Sequence, residues 1–296
     1  MGPVLSAIMA KKIIALGLFC VVVQSLGCIK VQQKGSGGGS SGSSTSSSSG
    51  VAAVDCTSTT SATPNTISGL KAWLDANCIT GVANNTTIDT WPATVGTSGT
   101  SPAANVVKYY SSQVINNSKP GVYYASSADD YLVVTPTTVL TRPMTIIIAG
   151  RMGVANSNDA KTRYMFSGPG WYRYIDGGGG KVPPADAEQT NTSGATWPTL
   201  GSAVHVAAKR KMYTFVFSAD GTTSKVYVNG AATIASYNEG HSNIPSLSPL
   251  YVGNNLLGAT MSMPGYYYQV LVYQGELSAA DITTIYNYFN GIYAFE

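Results

Sequence analysis

The sequence predicts an all-β domain, an antiparallel two-sheet β-sandwich followed by a short C-terminal helix. Three observations predict it: short runs of β-branched and aromatic residues, turn signals between these runs, and one C-terminal run with helical periodicity. Hydrophobic residues make up 44% of the 296 residues, which is enough for a packed core, whereas charged residues make up only 10%. The net charge is +3 and no Lys/Arg stripe is present, so we expect no nucleic-acid partner.

The strand signals follow one another along the chain. The predicted strands are Met144–Ala149, Tyr213–Phe217, Lys225–Val228, Leu250–Val252 and Tyr266–Tyr273. Met144–Ala149 is a continuous β-branched run, which is suited to a central strand buried on both faces. Ser218–Gly221 reads as a turn, and Asn229-Gly230 favours a tight hairpin because both residues tolerate positive φ.

The predicted helix lies at the C-terminus. Ser278 can cap it, and Asp281 lies in the first turn, where a negative charge suits the helix dipole. One apolar face then follows at helical spacing: Ile282, Ile285, Tyr286 and Phe289. We expect Gly291 to end the helix and the apolar face to close the sandwich.

The N-terminus, residues 1–27, predicts a signal peptide. Lys11-Lys12 precede the apolar run Ile13–Val23, which is too short to span a bilayer. Ser25–Cys28 then resembles the lipobox of bacterial lipoproteins, although Ser25 stands where Leu is usual. The resemblance implies that Cys28 is lipidated; ordinary secretion is the alternative, and either Met1 or Met9 fits as the start.

Residues 28–55 predict a flexible tether. Gly35–Gly50 contains only Gly, Ser and Thr, and such a segment behaves as a coil. The tether would hold the domain roughly 30 Å from a membrane. The expected location is therefore the bacterial cell envelope, at a lipid-anchored surface or the outer membrane.

The cysteines fit this location. Cys20 lies in the signal segment and Cys28 is the expected lipid site, which leaves Cys56 and Cys78 as a single pair for a disulfide. A catalytic thiol is the alternative, but neither cysteine has a nearby His in the sequence. The two histidines, at positions 205 and 241, show no metal-ligand spacing.

The order of several segments within 66–296 resembles the laminin-G-like, concanavalin A-like lectin/glucanase domains of bacterial surface proteins. The segments are Ser68–Ala76 with Trp91, Lys119–Tyr123, Ser127–Leu132, Met144–Ile148, Tyr213–Gly230, Leu250–Asn254, Gly265–Tyr273 and Leu277–Asp281. The resemblance implies a jelly-roll of two curved sheets in a domain that we place at 56–296. This fold hosts lectins, adhesion modules and glycoside hydrolases, so the residues have to decide the function.

The carboxylates argue against an enzyme. Glycoside hydrolysis needs two carboxylates at a fixed separation, and laminarinase-type relatives carry them in a Glu-x-Asp-x-Glu pattern. The glutamates of this chain are Glu188, Glu239, Glu276 and Glu296. None lies in such a pattern; Asp186-Ala-Glu188 comes nearest, but Pro183-Pro184 before it predicts a loop. We expect no catalytic residues, with a polysaccharide hydrolase or lyase as an alternative.

A cluster of aromatic and polar residues around Trp171 favours binding. Aromatic faces stack on sugar rings, and Arg and Asp side chains can bind hydroxyl groups. The predicted ligand-binding residues are Trp171, Tyr172, Arg173, Tyr174, Asp176 and Trp197. A core strand followed by a loose turn at Gly177–Gly180 is the alternative. Tyr266–Tyr268 also suggests a platform, although alternation places neighbouring residues on opposite faces, so we expect at least one face to be core.

Glycan binding requires no cofactor, but the resemblance to laminin-G-like domains implies a candidate calcium site. Laminin-G-like domains often bind calcium at the rim through Asp side chains and carbonyl oxygens. Asp129 and Asp130 are the candidates here, and a plain turn before a strand is the alternative.

The leading hypothesis is a lipid-anchored, non-catalytic domain that binds a glycan or a surface protein, touching the membrane through its anchor alone. A self-associating structural subunit is the second hypothesis.

Overall fold

The computed structural model describes eleven segments of the chain: 63–102, 107–113, 116–125, 130–136, 138–152, 162–168, 171–176, 185–190, 209–237, 248–253 and 262–296. For 162–164, 171–176, 185–190 and 234–237 it describes the backbone alone. The predicted signal peptide, the tether, Cys56, Asp129 and Trp197 lie outside the described residues. All described residues belong to one compact unit, Ser49–Glu296.

Strands dominate this part of the chain. In chain order they are β1 (Leu70–Asp75), β2 (Thr86–Thr87), β3 (Thr90–Trp91), β4 (Ala93–Val95), β5 (Gly99–Thr100), β6 (Lys108–Gln113), β7 (Lys119–Tyr124), β8 (Leu132–Val134), β9 (Met144–Met152), β10 (Thr162–Gly168), β11 (Trp171–Asp176), β12 (Ala185–Thr190), β13 (Arg210–Phe217), β14 (Ser224–Val228), β15 (Ala231–Tyr237), β16 (Leu250–Val252) and β17 (Gly265–Gln274). The helices are α1 (Thr63–Thr66) and α2 (Ala279–Tyr293), and a 3-10 turn, Ala76–Cys78, follows β1.

The strands form two antiparallel sheets. Sheet A has the order β15-β14-β13-β9-β17-β7-β6-β2, with β1 paired to β17 and β4. Sheet B has the order β12-β11-β10-β16-β8-β5-β3. The predicted all-β, antiparallel two-sheet fold with a C-terminal helix is confirmed, and the arrangement is consistent with a jelly-roll.

The main core lies between the two sheets. Ile146 and Ile148 of β9 pack there against residues of sheet B such as Leu132 and Val252, and all four are fully buried. The residue between them, Ile147, points to the opposite face of sheet A and is equally buried. This explains why β9 is a continuous hydrophobic run rather than an alternating one.

The second core lies between sheet A and α2. The helix begins after Ser278, and a reciprocal pair of hydrogen bonds caps it. The Ser278 hydroxyl oxygen accepts a hydrogen bond from the backbone amide of Asp281, and the Asp281 carboxylate accepts one from the backbone amide of Ser278. The helix lies on the outer face of sheet A instead of closing the space between the sheets. The prediction that Gly291 ends it is wrong, because α2 continues to Tyr293, and Ala294 provides the left-handed cap. Burial of Tyr293 offsets the cost of a helical glycine, about 1 kcal/mol.

The predicted hairpin is also present. Asn229 and Gly230 connect β14 to β15 with φ values of 50° and 77°. Asn229 supports the turn further, since its side-chain oxygen accepts the amide of Met212 at 2.9 Å. The local signal was sufficient here because both residues needed positive φ.

Candidate functional site

The predicted ligand-binding residues 171–176 form β11, the second strand from one edge of sheet B. In register, Tyr172 lies opposite Ser167 of β10, and Ser167 lies opposite Tyr251 of β16. The structure describes the backbone of β11 alone, and Trp197 lies outside the described residues. Whether these residues form one site is therefore still a prediction.

A tyrosine pair lies on the described part of sheet B next to this register position. The rings of Tyr131 and Tyr251 meet edge to face, with centroids 5.8 Å apart. Tyr131 is partly exposed, whereas Tyr251 is 8% exposed. Burial, followed by the nearby Tyr131, raises the pKa of Tyr251. The pair offers little free ring surface.

The nearest candidate acid pair does not lie in a loop. Asp186 and Glu188 belong to strand β12, so the loop prediction for this segment was wrong. Pro183-Pro184 predicted a loop, but the residues that follow pair with β11 as a strand. Each of the six residues of β12 has a partner on β11. Glu188 lies opposite Arg173, a cross-strand position where opposite charges are common in sheets.

Among the side chains that the structure describes, the most complete aromatic surface lies on sheet A. Tyr110 of β6, Tyr123 of β7 and Tyr266 of β17 form one group, here called the tyrosine cluster. Ring centroids are 5.9 Å apart for Tyr110–Tyr123, 5.5 Å for Tyr110–Tyr266 and 4.9 Å for Tyr123–Tyr266. Each of the three side chains is partly exposed. The cluster therefore presents three contacting rings at the surface.

Gly121 of β7 leaves the space in which the rings of Tyr110 and Tyr266 make contact. Tyr110 and Tyr266 lie on strands separated by β7, about 9–10 Å apart by ordinary strand spacing. Gly121 is the β7 residue opposite Tyr110, and it has no side chain to stand between the rings. A Cβ at this position would lie 3.3 Å from Tyr266 Cβ and equally close to Tyr268 Cδ1 and Asn116 Nδ2. The glycine thus allows the rings to meet across β7.

A buried layer supports the tyrosine cluster. Tyr268 lies two residues after Tyr266, is fully buried, and stacks on Tyr293 with centroids 4.6 Å apart. Its hydroxyl donates to Asn116 Oδ1 at 2.8 Å. This support fixes the position of β17, and with it the position of the partly exposed ring of Tyr266.

Local environment changes the acidity of the cluster. Burial raises the pKa of Tyr123, and the nearby Tyr110 and Asp130 raise it further. The pKa of Tyr266 is likewise raised by burial and by its two ring neighbours, whereas Arg151 opposes the shift. These hydroxyl groups are therefore neutral at physiological pH, and each can donate and accept hydrogen bonds.

Of the two predicted calcium ligands, Asp129 and Asp130, the structure describes Asp130. Asp130 is fully buried and its Oδ2 accepts the amide of Ala125 at 2.8 Å, while Asp129 lies outside the described residues. In the described segments, no group of three or more His, Cys, Asp or Glu residues is placed to hold a metal ion. Calcium binding therefore stays a prediction.

The predicted disulfide also stays a prediction. Cys78 lies in the 3-10 turn after β1, where its sulfur accepts a weak hydrogen bond from Thr94 Oγ1 at 3.5 Å. Its predicted partner, Cys56, is outside the described residues. Among the described helices, none has the length and apolar character needed to cross a bilayer.

Sequence reasoning identified Tyr266 as a platform candidate but missed Tyr110 and Tyr123. Tyr123 ends the predicted Lys119–Tyr123 segment and Tyr110 lies on the preceding strand, yet nothing local marks them as partners of Tyr266. Each of β6 and β7 carries two adjacent tyrosines, which strand alternation places on opposite faces of the sheet, so one of each pair could have been predicted at the surface. Their convergence with Tyr266 depends on β7 pairing with β17.

Comparison with known families gives one match. The family model described as the concanavalin A-like lectin/glucanases superfamily, of laminin-G type, matches residues 126–283, just over half of the chain. Tyr266 lies within the matched segment, whereas Tyr110 and Tyr123 precede it. No curated protein sequence matches this chain.

Solved structures give further likenesses. The binding domain of Paraclostridial Mosquitocidal Protein 1 is 13% identical and has a TM-score of 0.54, covering 75% of this chain and 52% of that one. A Trypanosoma rangeli sialidase mutant displaying trans-sialidase activity is 15% identical with a TM-score of 0.50, covering 76% of this chain and 33% of that one. This chain thus spans about a third of the sialidase. At these identities the likenesses bear on the fold alone.

Proposed function

The chain belongs to the concanavalin A-like lectin/glucanase superfamily, and from this membership we propose that it is a non-catalytic, glycan-binding protein of the cell surface. The observation that carries the proposal is the tyrosine cluster. Its three rings contact one another and each stays partly exposed. Aromatic faces pack against the apolar faces of sugar rings, and phenolic hydroxyl groups bond to sugar hydroxyls.

The binding energy that aromatic rings supply at a surface favours a ligand-binding role for the tyrosine cluster over a purely structural one. Buried aromatic residues are common in cores, and this domain buries many of its tyrosines completely. Exposed aromatic residues in one contiguous group are typical of interaction surfaces, where they supply much of the binding energy. A rigid sheet also holds such rings in place before the ligand arrives, which lowers the entropic cost of binding.

The non-catalytic part of the proposal rests on the carboxylates. Glu296 binds Lys209 and Arg210, and Glu276 Oε1 accepts the amide of Ala219 at 3.3 Å. Both therefore have structural partners. The strand position of Asp186 and Glu188 favours the rival hydrolase function, since hydrolases hold their acids on rigid strands. Glu188→Gln, assayed against a panel of polysaccharides, tests that rival; hydrolysis by the wild type that this variant lacks would replace our proposal.

The surface location rests on the signal and tether segments of the sequence. Lipidation of Cys28 would anchor the chain, because acyl chains contribute about 0.8 kcal/mol per buried CH₂ group. Radiolabelled palmitate should label the wild type and Cys20→Ser but not Cys28→Ser. Equal labelling of all three chains would contradict a lipid at Cys28.

A glycan array tests the binding function with the full-length protein in detergent. We expect the wild type to bind a defined set of glycans and the Tyr123→Ala variant to lose this binding. Tyr286→Ala is the matched control, since it removes a partly exposed tyrosine from α2. Tyr172→Ala tests the β11 site. If Tyr172→Ala lost glycan binding and Tyr123→Ala kept it, the glycan site would be assigned to sheet B. If the wild type bound no glycan, the proposed function would be contradicted.

A further inference from the structure

Two rings of the tyrosine cluster lie in a geometry that suits a covalent link between them. Tyr123 of β7 and Tyr266 of β17 are direct cross-strand partners. Residues opposite each other in an antiparallel pair share one face of the sheet, with Cβ atoms about 4.5–5.5 Å apart. The two ring centroids are 4.9 Å apart and the ring planes meet at 48°. The rings therefore contact each other across a single strand spacing.

The separation of these rings is close to that of two directly bonded rings. In a biaryl the centroids are separated by two ring radii and one carbon–carbon bond, which is slightly less than the 4.9 Å between Tyr123 and Tyr266. Directly bonded phenol rings are also twisted, because coplanar rings would press their ortho groups together. The angle of 48° is compatible with such a twist. Small rotations of the two side chains would bring the ring edges together.

Two closer tyrosine pairs are buried. The rings of Tyr124 and Tyr267 have centroids 4.4 Å apart, but both side chains are fully buried in the main core. The rings of Tyr268 and Tyr293 have centroids 4.6 Å apart and are fully buried between sheet A and α2. An oxidant in solution does not reach such rings, whereas each member of the tyrosine cluster is partly exposed.

The other exposed contacts have a less suitable geometry. Tyr110 meets Tyr123 at 81° and Tyr266 at 78°, with centroids 5.9 and 5.5 Å apart. The rings of Tyr131 and Tyr251 meet at 74° with centroids 5.8 Å apart. In each of these three pairs the rings are further apart and nearly perpendicular. Among the side chains that the structure describes, the pair of Tyr123 and Tyr266 thus combines exposure with the best approach of two rings.

The coupling of two phenols is a two-electron oxidation. Each tyrosine loses one electron to the oxidant and its hydroxyl proton to water, which gives two phenoxyl radicals. The radicals combine through ring carbons ortho to the oxygens, and one carbon–carbon bond forms. Each bonded carbon then loses a proton while its phenol oxygen regains one, so the pair loses two hydrogen atoms overall. Hydrogen peroxide, activated by a haem peroxidase, takes up the two electrons and two protons and becomes two water molecules.

We propose that Tyr123 and Tyr266 are a modification site, at which a haem peroxidase and hydrogen peroxide form an intramolecular dityrosine cross-link. The link joins β7 to β17, which are neighbouring strands of sheet A. Like a disulfide between residues far apart in the sequence, it restricts the unfolded chain and stabilises the domain. The proposal is independent of glycan binding, because it depends on ring contact and exposure alone.

Oxidation of the full-length protein tests the cross-link. The protein is treated in detergent with a haem peroxidase and hydrogen peroxide, at a concentration low enough to make encounters between chains rare. We expect dityrosine fluorescence in the monomer band of a denaturing gel and the loss of two hydrogen atoms from the intact mass. Tandem mass spectrometry of the digest should locate the bond between Tyr123 and Tyr266. The urea midpoint of the cross-linked protein should lie above that of the untreated protein.

Variants identify the reacting pair. Tyr123→Phe and Tyr266→Phe each keep the ring but remove the hydroxyl group that forms the radical, so each should lose most of the dityrosine signal of the monomer. Tyr110→Phe leaves the reacting pair intact and should keep the signal. Tyr286→Phe is the matched control, because Tyr286 is a partly exposed tyrosine whose stacking partner, Phe295, cannot form dityrosine. Circular dichroism shows whether each variant is folded.

Three outcomes would overturn the cross-link. The first is a wild type that forms no dityrosine, and the second is dityrosine confined to dimers and larger species. The third is a folded Tyr123→Phe variant with the same monomer signal as the wild type, because the bond would then lie elsewhere. None of these results bears on glycan binding, which the array tests without an oxidant.

Discussion

Tyr266 and Tyr268 lie two residues apart on β17 and both pack on the same outer side of sheet A, yet they differ in exposure and in their ring partners. Tyr268 lies beneath α2, is fully buried, and stacks on Tyr293. Tyr266 is partly exposed and contacts Tyr110 and Tyr123 instead. The position of the helix, rather than the residue type, decides which aromatic residues are core and which remain available to a ligand.

The helix-covered part is held together by polar as well as apolar contacts. Asp75 Oδ1 accepts hydrogen bonds from the Asn77 side chain at 2.7 Å and from Gln269 Nε2 at 2.6 Å. Gln269 Nε2 also donates to the Tyr293 hydroxyl at 2.7 Å, and Trp73 Nε1 donates to Gln269 Oε1 at 2.7 Å. This network links β1, β17 and α2. The tyrosine cluster has ring contacts at its surface, so its loss should cost less stability.

The largest expected difference between the two parts is in packing. Phe289→Ala removes a fully buried ring from α2 and should lower the free energy of unfolding by about 3–5 kcal/mol. Tyr123→Ala removes a partly exposed ring and should lower it by about 1–2 kcal/mol. Urea unfolding measures both. Equal losses would contradict the division into a covered core and an exposed cluster.

Gly121 lies where the two parts meet. Gly121→Ala brings a methyl group to 3.3 Å from Tyr266 and Tyr268, so we expect a loss of about 1–3 kcal/mol from overpacking. We also expect weaker glycan binding, because Tyr266 has to move. Gly291→Ala is the control, since a Cβ there meets nothing within 4 Å. Wild-type stability and binding in Gly121→Ala would show that the rings do not need this space.

Removal of one hydroxyl sharpens the comparison along β17. Tyr268→Phe leaves the buried Asn116 Oδ1 without its donor, which should cost about 1–2 kcal/mol. Tyr266→Phe alters a partly exposed residue and should change stability by less than about 0.5 kcal/mol. Thermal unfolding of the two variants gives the difference. A larger loss for Tyr266→Phe would reverse the assignment of buried and exposed roles.

The smallest expected effect depends on pH. Burial raises the pKa of Asp75 above its ordinary value of 3.8, although hydrogen bonds from Asn77 and Gln269 oppose the shift. The folded state therefore binds this proton more tightly than the unfolded state. The resulting stabilisation is fully present below pH 3.8 and is lost as the pH rises through the raised pKa.

Asp75→Asn should lack this pH dependence. The free energy of unfolding of the wild type, relative to Asp75→Asn, should fall as the pH rises from below 3.8 towards neutrality. Asp89→Asn, at an exposed position, is the matched control. A difference that rises with pH would mean that the folded state favours the ionised carboxylate.

The sequence signals predicted the elements whose determinants are local. The β-branched run of β9 reflects burial on both faces, and the start of α2 follows from the capping pair Ser278 and Asp281. Strand β12 was missed because its neighbouring prolines suggested a loop, while its stability depends on pairing with β11. The end of α2 was misplaced at Gly291 because packing of Tyr293 outweighs a weak local preference.

The tyrosine cluster was not predictable from local patterns. Its members come from three strands, and Tyr266 is far from the other two in sequence. Their meeting requires the order β17-β7-β6 and a glycine at position 121, and neither condition is visible in the periodicity of one segment. The predicted site on β11, by contrast, was a single continuous segment, which is the kind of site that sequence reading favours.

The central claim is that the tyrosine cluster contacts a glycan. Its most direct test is calorimetric titration of the strongest array glycan into the full-length wild type and into Tyr123→Ala, with unfolding curves showing that the variant is folded. The predicted result is an affinity about 5–30-fold lower for the variant, the loss expected when a binding-surface aromatic is removed. Equal affinities in the two folded proteins would contradict the claim.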